Sequence, residues 1–173
     1  DAVLVWSNNV FQDRTALGNN LATYVDNGGG VVLATFDFYG GTGWSLLGNI
    51  MGSSYSPFAS VGSYYSNASL GTYDASSPIM SGVASLSGFY RDSVNLNPGA
   101  TLVASWSDGE ELVAYNHGGK VVGITLYPGE STTSGLGGDY ARLFANSLIF
   151  SADGQQSSVV PEPATLGLLG LGV

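Results

Sequence analysis

The chain has 173 residues, a length that suits one domain and a tail, and 44% of them are apolar, enough for a packed core. Four Lys and Arg stand against thirteen Asp and Glu, and a net charge of -9 excludes a phosphate-backbone partner such as nucleic acid. There is no Cys, which excludes disulfides, thiolate metal sites and a cysteine nucleophile.

The chain opens at Asp1 on "DAVLVW" (1–6), a short apolar run that reads as a buried strand. Leu17, Leu21, Tyr24 and Val25 then repeat at helical spacing, with Asp13 as N-cap and Gly28–Gly30 able to supply a left-handed C-cap. "VVLATF" (31–36) is a second buried strand, and strand–helix–strand implies a parallel sheet. Residues 37–78 are rich in Gly, Ser and aromatics; they read mostly as loop, with room for a short helix near Trp44–Met51 and a short strand within 55–74. The second half predicts shorter strands at 88–94, 100–106, 112–116 and 120–128, with Asp108-Gly109 as a hairpin turn. "DYARLFANSLIFSA" (139–152) predicts a second helix, with Tyr140, Leu143, Phe144, Ser147 and Leu148 on one face and Asp139 as its cap. A linker, 153–159, follows.

Four groups invite a chemical reading. His117, the one histidine, sits in "NHGGK" and reads as a solvated turn residue rather than an acid–base or metal group. Asp108, Glu110 and Glu111 form an acidic turn whose spacing does not match a calcium loop. Asp139 reads as a helix cap and Glu130 as a loop residue rather than as an acid–base pair. "GLGGD" lacks the spacing of a phosphate loop. No cofactor or metal is expected.

"LATYVDNGGGVVLATF", the late "GGKVVGITLYP" and the closing "ARLFANSLIF" resemble the class I glutamine amidotransferase-like superfamily, nearest its trehalose-utilisation-type branch. The resemblance covers most of 1–152. It implies a flavodoxin-like α/β fold, a mostly parallel sheet flanked by helices, with extra antiparallel strands in the second half. It also implies a first βα unit upstream of Asp1. Catalytic members carry a Cys after the strand matched by "VVLATF", where this chain has Phe36 and Asp37. They carry a His after the late strand, where this chain has Tyr127, with Glu130 roughly retained. Neither nucleophile nor base survives, so amidotransferase chemistry is not expected. A cleft at the carboxyl ends of the strands remains. Asp37, Tyr39, Trp44, Tyr127 and Glu130 fall there. They either cover the core edge, the simpler reading for Tyr39 and Trp44, or hold a polar, sugar-like ligand.

The tail "VVPEPATLGLLGLGV" resembles the first half of a PEP-CTERM sorting signal, over 160–173. Val160, Pro161, Glu162 and Pro163 match its motif, and the apolar run behind them is about ten residues where a span takes about twenty. The resemblance implies export in a Gram-negative bacterium, transient inner-membrane anchoring and processing by an exosortase-type enzyme. The resulting expectation is a non-catalytic cell-surface or matrix protein that binds exopolysaccharide or other surface proteins. The alternatives are an exported carbohydrate-active hydrolase using cleft carboxylates such as Asp37 and Glu130, and a structural surface-layer subunit.

Overall fold

The computed structural model describes residues 1–41, 43–129 and 135–154. The strands are β1 (Ala2–Val5), β2 (Gly30–Ala34), β3 (Phe58–Tyr73), β4 (Leu86–Leu96), β5 (Thr101–Trp106), β6 (Glu111–Asn116), β7 (Val121–Ile124) and β8 (Gly137–Gly138). The helices are α1 (Arg14–Asp26) and α2 (Tyr140–Asp153). All eight strands form one open sheet in the order β1-β2-β7-β6-β5-β3-β4-β8. β1, β2 and β7 run parallel, and the pairings from β7 through β6, β5, β3 and β4 to β8 are antiparallel. The fold is therefore α/β and flavodoxin-like in its parallel part. The expected antiparallel strands make up a larger share of the sheet than the sequence suggested.

Helices cover both faces of the parallel part, which is why β2 is buried along its whole length and reads as unbroken apolar sequence. Val31 and Leu33 pack with Leu21, Ala22 and Val25 of α1. Val32 and Ala34 pack with Leu143 and Phe144 of α2 on the opposite face. Asp13 caps α1 as expected, its Oδ1 accepting from the N–H groups of Thr15 and Ala16 at 3.1 and 2.8 Å. Gly18 lets α1 close onto the backbone of Leu47, where a Cβ would collide with the carbonyl.

Three expectations need correction. The stretch at 58–73 is not mostly loop but the longest strand. Its residues alternate poorly because most of them face solvent. Irregularities at Ser60/Gly62 and Tyr65/Ala68 bend β3, so that it pairs with β4 first and then with β5. The helix near Trp44–Met51 is a single 3-10 turn, Asn49–Met51. Asp139 does not cap its own helix. Its Oδ2 instead accepts from the N–H groups of Ala84 and Ser85, at 2.9 and 3.0 Å, and ties α2 to the start of β4.

Candidate functional site

β2 ends at Ala34, and the chain turns sharply: the N–H of Asp37 donates to the Ala34 carbonyl and that of Tyr39 to Phe36. This turn lifts the Phe36 ring to the carboxyl edge of the parallel strands. β7 ends at Ile124 on the same edge, and Tyr127 is held there by its N–H donating to the Tyr90 carbonyl of β4 at 3.2 Å. The register of β3 and β4 sets Tyr65 opposite Tyr90.

The result is an aromatic cluster centred on Phe36. Tyr39, Trp44, Tyr65 and Tyr90 meet its ring edge-on, with centroids 6.1, 5.6, 6.3 and 6.0 Å away. Tyr127 lies tilted against it at 5.6 Å. Phe89 stacks on Tyr65 at 6.3 Å. Phe36 fills the centre and is almost wholly buried, whereas Tyr65 is 51% exposed and Tyr39, Trp44, Phe89 and Tyr90 are half-buried. The outer rings thus form a surface with one wet side, while Phe36 is packing. Burial, and then Tyr90 beside it, pushes the Tyr127 phenol up.

Three of the sequence-predicted residues, Tyr39, Trp44 and Tyr127, come together here. Asp37 does not join them at the surface: it is wholly buried, near the equally buried Asp92 of β4. Burial pushes the Asp37 carboxyl well above its ordinary range, and the charge on Asp92 adds to the effect. Burial likewise pushes Asp92 up to about 8, against the opposing pull of the Phe38 N–H and the Thr35 hydroxyl. Glu130 and the tail residues Val160, Pro161, Glu162 and Pro163 lie outside the described residues. Phe36 as the hub, with Tyr65, Phe89, Tyr90 and Asp92, was not anticipated. The signal was present as "YY" at 64–65 and "FY" at 89–90, but it needed the β3–β4 register to be read.

The acidic turn is a structural feature. Asp108 pairs with Arg91, with contacts of 2.6 and 3.2 Å to the guanidinium, and Arg91 Nε donates to the Ser66 carbonyl at 3.0 Å. Arg91 lies between the rings of Tyr64 and Trp106, 4.7 and 5.1 Å from their centroids. This pair holds the Asp108 carboxyl below its usual range. Glu110 accepts from Ser93 at 3.2 Å. His117 is not a free turn residue: its ring stacks on Tyr55 at 4.6 Å and its Nδ1 lies 3.0 Å from the Ser54 carbonyl. Since Asn116 pairs with Val121 at the start of β7, His117 sits at the end of the sheet opposite Phe36 and Tyr127.

No protein-family model matches the chain, and no curated protein does. Among solved structures, the chain is similar to a ThuA-like protein from Bacteroides uniformis ATCC 8492, at 11% identity and a TM-score of 0.55. The match covers 87% of this chain and 68% of that one. It is also similar to a GMP synthase subunit from Thermoplasma acidophilum, at 17% identity and a TM-score of 0.46, over 77% of this chain and 63% of that one. At these identities the first likeness shows the fold alone and the second adds no argument. What that structure shares with this chain is the α/β fold expected from the sequence.

Proposed function

We propose that the chain is an exported, non-catalytic surface domain that binds neutral saccharide on the outer rings of the Phe36 cluster. One observation carries this reading. The place where an amidotransferase-like catalyst needs a thiol and an imidazole is occupied by Phe36, Asp37 and Tyr127, with further half-buried rings around them. Half-exposed Tyr and Trp present apolar faces with polar tips, the chemistry that stacks on pyranose rings and still hydrogen-bonds hydroxyls. The chain's one histidine is at the far end of the sheet and cannot serve as a base here.

Charge narrows the ligand. A net charge of -9 repels polyanions. Of the four basic residues, Arg91 is taken by Asp108, Arg142 acts on the Asp139 carboxylate, and Lys120 donates to the Gly28 and Ala152 carbonyls at the opposite edge. Arg14 reaches Ser45 and the Gly41 carbonyl. A neutral glycan fits this surface better than a uronate. The PEP-CTERM resemblance of 160–173 supports export and exosortase processing. A carbohydrate hydrolase using Asp37 is disfavoured, since a wholly buried carboxylate does not reach a glycosidic oxygen.

A surface-layer subunit is the second reading, and a specific observation favours it. Trp6 and Val10 are large apolar side chains left 44 and 62% exposed. Titration with neutral oligosaccharides, with Tyr65→Ala as the control, separates the two readings. Binding lost in Tyr65→Ala supports the glycan surface. Self-association sensitive to Trp6→Ser, without glycan binding, supports the array.

A further inference from the structure

Asp37 and Asp92 bring four carboxylate oxygens into the interior, and the fold answers one of them. The Phe38 N–H donates to Asp92 Oδ2 at 3.2 Å. Asp37 Oδ1, Asp37 Oδ2 and Asp92 Oδ1 have no hydrogen-bond partner. Thr35 is also wholly buried; its hydroxyl lies against the Asp92 carboxylate, yet its Oγ1 makes no aligned hydrogen bond. The Ser7 hydroxyl, two residues past the end of β1, is buried and unpartnered too.

No basic side chain answers this pair among the described residues. Arg91 precedes Asp92 on β4 and so projects from the opposite face, to Asp108. Two ionised carboxylates removed from water without a counter-charge are strongly disfavoured, so the pair either holds protons, as its raised carboxyls allow, or takes a cation in their place. All the free atoms are oxygens, without nitrogen or sulfur, which suits a hard cation. Two carboxylates balance a doubly charged one.

We propose that Asp37, Asp92 and Thr35 Oγ1 form a buried site for one hard divalent cation of the calcium or magnesium class. The site has only two acidic ligands, so the Thr35 hydroxyl is part of the coordination. The Leu46 N–H donates to the Asp37 carbonyl at 3.0 Å, and Asp37 adjoins Phe36. A cation here braces the turn that presents the aromatic rings, whatever those rings bind.

The test uses the full chain, stripped with EDTA and then titrated separately with Ca2+ and Mg2+. Native mass spectrometry reads stoichiometry and thermal unfolding reads stability. One ion per chain is expected with at least one of the two metals. At a free concentration a hundred times Kd, the folding equilibrium constant rises about 100-fold. Asp37→Asn and Asp92→Asn each abolish the shift. If either fails to fold, Thr35→Val weakens the ion's affinity about tenfold instead. Absence of bound ion, with identical unfolding in EDTA and in metal, overturns the proposal. So does a stability that climbs as pH falls alike with and without metal, which would put a shared proton in the cation's place. A metal-induced shift that survives both Asn variants also overturns it.

Discussion

Removing the carboxylate of Asp108 should damage the protein more than removing its charged partner, although Arg91 is the larger and more buried residue. The Arg91 side chain is 1% exposed and that of Asp108 is 32% exposed. In Asp108→Ala the guanidinium keeps the Ser66 carbonyl and the Tyr64 and Trp106 rings but loses its counter-charge in a dry site. An uncompensated buried charge costs about 3–5 kcal/mol. Water entering where Asp108 was one-third exposed puts this case at about 3 kcal/mol. Arg91→Met keeps the bulk between the two rings and leaves a carboxylate already able to hydrate, so its cost is about 1–2 kcal/mol. The double variant should be no worse than Arg91→Met, because the stranded cation is gone. Urea unfolding with a common m value measures all three, and the double-mutant cycle isolates the coupling. A cost below about 0.5 kcal/mol for Asp108→Ala would refute the reasoning and make the pair an ordinary surface contact.

Gly18→Ala should destabilise by about 1–3 kcal/mol, since its Cβ would collide with the Leu47 carbonyl and push α1 away from the segment that carries Leu47 and Ile50; thermal unfolding checks this. Asp139→Asn should lower stability at neutral pH, because the Ala84 and Ser85 N–H groups hold its carboxyl below the ordinary range. The folded pKa lies below the unfolded one, so the stabilisation is present above the unfolded value of about 3.9 and is lost as pH falls through the folded value. Wild type and Asp139→Asn should therefore converge in acid, as read by unfolding midpoints across pH. Tyr65→Ala should leave stability within about 1 kcal/mol, because the ring is half exposed, yet weaken saccharide binding about tenfold, which calorimetry reads.

The parts legible in sequence are those whose pattern is set locally. β2 is buried on both faces and so is written as a continuous apolar run. α1 carries its cap at Asp13, and α2 shows Leu143 and Phe144 at helical spacing. β3 was hidden because a polar ribbon leaves no alternation to read, and "ASVGSYYSNASLGTY" looks like loop until β4 pairs with it. Tyr39, Trp44 and Tyr127 could be placed at the strand ends, since each follows a recognisable strand. Tyr65, Phe89, Tyr90 and Asp92 could not, because their approach to Phe36 and Asp37 depends on that register. Asp139 looked like a helix cap on sequence alone. Its carboxylate was claimed by two N–H groups some 54 residues away in the chain.

On the reading proposed above, the rings at the strand ends bind neutral saccharide without cleaving it. Calorimetric titration of the full chain with neutral oligosaccharides and, separately, with uronate oligomers, each followed by analysis of the recovered sugar, tests this most directly. Expected are saturable binding of a neutral glycan, recovery of that glycan intact, loss of affinity in Tyr65→Ala and no binding of uronates. New reducing ends in the recovered sugar, or binding of uronates alone, would contradict it.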